Sequence, residues 1–347
     1  MTHDSYYKTY LRSTTISREM ASYTPESFKP LLNRLVQMPE YFTADDLKTA
    51  LNHLFTPDAV SPVQIGAFLT AFHIHRVESR PDSLAAAAAV LRERSLKALV
   101  QEPEGDFIVD IASTGGDGYN LFNVSTTAGI VAAGADLLQA LGYMFTAPTP
   151  GTTTPIPRVP FTFILAPHYH PALAFIAPYR KALPFRTMFN ILAPLINPAR
   201  PKGMVVGIAE REMGHTFARS LRKGGVAPWS YLLSGAITEK TPPLFGLVAI
   251  YLATVVGRSP EENAETLEKL LTSGQDIPDT LKSVLDFVLM NASALLVVAG
   301  LAENYAHGTQ LALESITSGK AWAALQTFRE AGLAAQKFLI QRRAYRN

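Results

Sequence analysis

The stretch Asp110-Ile-Ala-Ser-Thr-Gly-Gly-Asp-Gly-Tyr-Asn-Leu-Phe-Asn-Val-Ser-Thr126 holds the residues best suited to chemistry. Phe107-Ile-Val-Asp-Ile111 is a short β-branched run leading into glycines, the way a buried strand ends in a ligand-binding loop. Gly115 and Gly116 lack a Cβ, so backbone N–H groups there can approach an anion closely. Ser125 and Thr126 then open a helix whose unpaired N–H groups and dipole favour a phosphate. The amide of Asn123 and the hydroxyls of Ser125 and Thr126 suit phosphate oxygens, or a metal that those oxygens hold. A Gly-Gly turn followed by a Ser/Thr-capped helix accounts for the same residues without a ligand, and on spacing alone the two readings stand level.

The elements that must position this loop alternate along the chain. From Pro25 to about Ser95 the pattern is helical: Phe28, Leu31, Leu32 and Leu35 recur at helical spacing, and Thr43-Ala-Asp-Asp46 reads as an N-cap with acids in the first turn. Pro62 and Pro81 stand where a first helical turn tolerates proline, opening Val63–His75 and Ser83–Leu96. Beyond Gly105, strands are expected at Phe161–Leu165, Met204–Ile208 and Trp229–Leu233. Helices are expected at His170–Leu183, Glu210–Lys223, Phe245–Val256 and Pro260–Thr272, with Thr146–Pro160 a surface loop. The fold class is therefore α/β: a small N-terminal helical domain at residues 25–100, then a larger α/β domain at 101–340 with a central sheet flanked by helices.

Composition narrows the partners. Thirty-one Lys and Arg against 29 Asp and Glu leave a net charge of +2, too little to pull the chain onto nucleic acid or a membrane surface, so any anion site is local. With no cysteine in 347 residues, disulfides, thiolate metal sites and a Cys nucleophile are excluded. Residues 1–24 carry no apolar run and read as a disordered tail, and the chain reads as cytoplasmic. Val284–Leu301 includes Asp286, Asn291 and Ser293 and reads as a buried helix, not a membrane span.

The loop resembles the Gly-Thr-Gly-Gly-Asp and Asn-x-Ser-Thr elements of the anthranilate phosphoribosyltransferase family. His168-Tyr-His-Pro-Ala172, Pro178-Tyr-Arg180, Arg186-Thr-Met-Phe-Asn190 and Pro194-Leu-Ile-Asn-Pro-Ala199 follow in the family's order. Phe245-Gly-Leu247, Glu262-Asn-Ala264 and Asp286-Phe-Val-Leu-Met-Asn-Ala292 resemble its closing helices, so the likeness runs from Pro25 to about Gly332. The resemblance implies transfer of phosphoribose from phosphoribosyl pyrophosphate to anthranilate in tryptophan biosynthesis, with magnesium, in a homodimer joined through the helical part. It assigns Ser113, Gly115, Gly116, Asp117, Asn123, Ser125 and Thr126 to phosphoribosyl pyrophosphate, Ser125 also to magnesium, and Arg180 and His170 to anthranilate. Arg180 suits a carboxylate because guanidinium donates a planar pair of hydrogen bonds; the plain alternative is an exposed helix arginine. His168 and His170 are spaced wrongly for a ligand pair on a helix and fit a loop-capping or substrate-wall role, and His73 and His75 read as structural.

The chain also departs from the family. Ser113 replaces the first glycine of the loop, and Leu121 replaces a phosphate-binding threonine. Ala132-Ala-Gly134 runs straight into Asp136-Leu-Leu-Gln-Ala-Leu141, where the family has a strand and a Lys-His-Gly-Asn loop. After Gly225, Val226–Gly235 leads directly to Ala236-Ile-Thr-Glu239, where the family first has a strand ending in a magnesium-binding Asp-Glu pair. The expectations are one helix over Ser125–Gly142, weak phosphate binding at the loop, and negligible turnover. The competing reading is a non-catalytic family member that binds a phosphorylated ligand or a protein partner.

Overall fold

The computed structural model describes residues 23–100, 108–114, 121–130, 154–156, 161–210, 212–226, 229–233, 245, 247 and 254–344. Residues 1–22 of the expected disordered tail lie outside them, while Thr24 already caps the first helix.

Helices α1 (Pro25–Gln37), α2 (Ala44–Leu54), α3 (Pro62–Ile74) and α4 (Pro81–Glu93) form the N-terminal unit. Three begin with a reciprocal cap in which side chain and backbone exchange hydrogen bonds: Thr24 with Ser27, Thr43 with Asp46, Ser61 with Gln64. The apolar faces close over Phe28, Leu47, Leu51, Phe68 and Leu84, all fully buried, with Phe28 and Phe68 rings 5.7 Å apart.

Two small parallel sheets follow. β1 (Ala98–Val100) pairs with β3 (Thr154–Ile156), and β2 (Val109–Ser113), β4 (Gly203–Ile208) and β5 (Trp229–Leu233) lie in the order β2-β4-β5. In register, Ile111 faces Val205 and Val205 faces Ser230. Around them lie α5 (Val124–Gly129), α6 (Ala166–Tyr169), α7 (Leu173–Ala182), α8 (Met213–Lys223), α9 (Pro260–Thr272), α10 (Lys282–Val298), α11 (Tyr305–Thr317) and α12 (Lys320–Ala344). Strand alternation sends Met204, Val206 and Ile208 into the same core as the N-terminal helices, while Val205 joins a second core with Leu267, Phe287 and Val288. Both faces of β4 are covered, which is why it reads as an unbroken apolar run.

Gly207 lets the carboxyl ends of β2 and β4 come together, since a Cβ there would lie 3.1 Å from that of Ser113. The helical run Asp279–Val298, which contains α10, is long and apolar enough to span a membrane by composition, yet over half of its apolar window is buried in the molecule. Within it, Asn291 donates to the Phe287 carbonyl at 2.8 Å and Ser293 to that of Tyr305 at 2.6 Å, so these two buried polar side chains are satisfied inside the protein.

Several expectations are corrected. Phe161–Leu165 is not a paired strand, and the supposed loop Thr146–Pro160 contains β3. The helix opened by Ser125 stops at Gly129, with Ile130 already at φ −116° and ψ 1°, so Ser125–Gly142 is not one helix; residues 131–142 lie outside the described residues. Val256 bridges antiparallel to Leu121 instead of ending a Phe245–Val256 helix, whose other residues fall mostly outside the described ones. His170 precedes helix α7, and Glu210 precedes α8.

Candidate functional site

The site lies at the carboxyl ends of β2 and β4, where open parallel sheets bind ligands. Ser113 ends β2 with an exposed side chain, and Thr114 follows, buried and fixed on several sides. Its N–H donates to the Gly207 carbonyl at 2.8 Å, its Oγ1 accepts from the Ala209 N–H at 3.2 Å, and its carbonyl accepts from Arg186 Nη2 at 3.0 Å. Arg186 also lies 3.8 Å from Glu210, and the turn behind it is closed by Asn190, whose Oδ1 accepts from the Thr187 N–H at 3.0 Å. The loop Gly115, Gly116 and Asp117 departs from this clamp and lies outside the described residues.

The returning chain is tied down before the helix begins. The Phe122 N–H donates to the Val255 carbonyl at 2.8 Å, and Asn263, at the start of α9, donates from Nδ2 to Asn123 Oδ1 at 3.1 Å. Occupied by Asn263, the Asn123 side chain does not cap α5, unlike the caps of α1, α2 and α3. Ser125 and Thr126 are half-buried, and their side chains make no hydrogen bond among the described residues, whereas Thr127 is buried and donates to the Asn123 carbonyl at 3.2 Å. A helix start with uncapped donors and two unengaged hydroxyls is arranged to receive an anion.

Arg180 sits near the end of α7, half-buried, and its buried Nε has no hydrogen-bond partner among the described residues. Burial lowers its pKa, a cost that an anionic ligand would offset. His170 is buried, with Nε2 2.8 Å from the Ile196 carbonyl, and burial lowers its pKa to about 4. A neutral ring donating to that carbonyl pins the turn Ala193–Leu195 against α6.

Thr114, Arg186 and Asn263 are parts of the arrangement that residue types alone did not single out. Arg186 and Asn263 stood inside family-like motifs, but nothing in the sequence placed either beside the loop. Among the described residues no group of three His, Asp or Glu side chains could hold a metal ion.

The helical bundle domain of the glycosyl transferase family matches residues 29–95, and its a/b domain matches 105–137, 134–227 and 235–322. The anthranilate phosphoribosyltransferase of Schizosaccharomyces pombe is 34% identical over 327 residues, covering 82% of this chain and 91% of that one. This chain belongs to the anthranilate phosphoribosyltransferase family. The Saccharomyces cerevisiae anthranilate phosphoribosyltransferase in complex with 4-fluoroanthranilate superposes with a TM-score of 0.78 at 25% identity, over 91% of this chain and 99% of that one. The same yeast protein in complex with PRPP and Mg gives 0.76 at 24% identity, over 90% and 99%. The a/b match breaks at 134–137 and at 227–235, the two places where the resemblance leads us to expect missing segments. At the second break the chain leaves α8 and enters β5 directly, and β5 takes the place beside β4.

Proposed function

We propose that the chain is a phosphoribosyltransferase of tryptophan biosynthesis by descent. It keeps the places for anthranilate and for phosphoribosyl pyrophosphate but lacks most of the charge-neutralising apparatus between them. The observation that carries this reading is Arg180, a half-buried guanidinium with a buried, unpartnered Nε, in the family motif that the resemblance assigns to the anthranilate carboxylate. The uncapped start of α5 supports the phosphate side, with Ser113, Gly115, Gly116, Asp117, Asn123, Ser125 and Thr126 as its contacts.

Breaking the ribose–pyrophosphate bond leaves an oxocarbenium-like ribose and an anionic leaving group, so the protein's task is positioning and charge neutralisation. Arg180 would fix the anthranilate carboxylate and so aim its amine, while the α5 donors hold the leaving group. Magnesium supplies neutralisation when bound. The donors described here fit it poorly: Ser125 offers one neutral hydroxyl, where magnesium ordinarily takes one or two carboxylates besides phosphate oxygens. Among the described residues, then, a magnesium ion would depend mainly on the pyrophosphate oxygens.

The same proposal divides the chain at residues 25–100 and 101–340, places it in the cytoplasm, and pairs two copies through the helical unit. Exposed Val36, Tyr41, Val63 and Ile74 support that pairing. The test is magnesium-dependent pyrophosphate release. The 347-residue chain should turn over near background, and reinserting both family segments should raise the rate by about a hundredfold or more, since one preorganised donor alone carries about that much. Strong turnover by the chain as it stands, abolished by Arg180→Ala, would overturn the reading. Saturable pyrophosphate binding with no turnover even after reinsertion would favour the non-catalytic alternative.

A further inference from the structure

A cleft of about 390 Å³ lies at the opposite end of β4 from the site, between the N-terminal helices and the sheet. One wall is α4, through Ala85, Ala88 and Arg92; the other is the turn before β4, through Pro194, Arg200 and Lys202. Among the described lining residues, apolar walls therefore meet three cations against a single acid, Glu93. Neither Arg92 nor Arg200 makes an ion pair among the described residues, and they come from opposite walls.

The other polar side chains of the lining are committed to the fold. Ser220 donates to the Pro81 carbonyl at 3.0 Å and the Thr216 carbonyl at 2.8 Å. Asn197 donates to Asp110 at 2.8 Å and accepts from the Ala199 N–H at 2.9 Å, which anchors the turn that carries Arg200. That turn holds Arg200 at φ +51°, in the left-handed region that favours glycine. Arg92 lies against the last turn of α8, where a Cβ on Gly224 would be 3.4 Å from its Nη1, so the helix carboxyl end offsets part of its charge. Burial, and then the charge of Arg200, lower the Arg92 pKa, so an anion between the two would relieve both costs.

We propose that this cleft is a second ligand site, taking a small organic carboxylate whose apolar body lies on the alanine and proline wall and whose charge bridges Arg92 and Arg200. Its size suits a small molecule, and its walls join the helical unit to the sheet, so occupancy would brace the two against each other. The experiment is calorimetric titration with sodium benzoate in an Arg180→Ala background, which removes the carboxylate partner proposed for anthranilate, with benzamide as the uncharged control. Benzoate should bind saturably, benzamide should not, and adding Arg200→Gly should weaken benzoate by about tenfold or more. Glycine suits φ +51°, so that variant should melt no lower than its parent, separating loss of the site from loss of the fold. Undiminished benzoate binding after Arg200→Gly, equal binding of benzamide, or no saturable binding in the Arg180→Ala chain would each overturn the proposal. The last outcome would leave Arg92 as a cap for α8 alone.

Discussion

Helices α2 and α5 both begin with polar sequence that includes a hydroxyl, yet those side chains do different work. At α2, Thr43 accepts from the Asp46 N–H at 3.1 Å while Asp46 accepts from the Thr43 N–H at 2.9 Å, so the helix start is closed by its own residues. At α5, Asn123 is drawn away to Asn263, and Ser125 and Thr126 engage nothing among the described residues. His170 and Arg180, ten residues apart, differ only in degree: the imidazole gives Nε2 to the Ile196 carbonyl but keeps a buried Nδ1 without a hydrogen bond among the described residues, and the guanidinium keeps its buried Nε unpaired. A polar group that the fold has satisfied stabilises the fold. One buried without a partner costs stability and is available to a ligand.

The largest expected effect tests the buried imidazole. His170 titrates near pH 4 in the folded chain against an ordinary 6.5, so the neutral ring contributes stability that is complete above pH 6.5 and is lost as pH falls toward 4. About 3 kcal/mol should disappear over that window, by the equivalence of pKa shift and free energy. Urea melts of the chain and of His170→Gln at pH 7 and pH 4.5 would measure it, and an equally steep acid loss in the glutamine variant would reassign the lability to other groups.

On the unsatisfied side, Arg180→Met should stabilise the ligand-free chain by about 1–2 kcal/mol, because it removes a desolvated charge and an unpaired donor while keeping an apolar stem. Thermal melts would show a higher midpoint, and a lower one would mean that Arg180 is already satisfied by the fold. Anthranilate binding should vanish in the same variant.

The smallest effects compare the two helix starts directly. Thr43→Ala should cost about 1 kcal/mol through the lost cap. Ser125→Ala should change stability by no more than about 0.5 kcal/mol while weakening pyrophosphate binding. Comparable destabilisation by both would erase the distinction between a closed helix start and an open one.

Local sequence determined the elements whose signals are local. Capping residues and proline at the first turn announced α2, α3 and α9, a β-branched run announced β4 and an aromatic and apolar run β5, because caps and apolar periodicity act within a few residues. The phosphate-loop residues and Arg180 could be singled out as candidates too, since Gly-Gly, Ser-Thr and the motifs around them are contiguous. Tertiary structure decided whatever depends on a distant partner. Phe161–Leu165 has a strand's composition but does not form a strand, while Thr154–Ile156, within a proline-rich stretch, pairs with β1. The helix after Ser125 ended at Gly129 despite an apolar pattern running further. Arg186 reached Thr114 across 72 positions and Asn263 reached Asn123 across 140, contacts that no spacing in a single chain encodes. Residue type fixes what a side chain can donate or accept; only packing settles whether the fold has already used it.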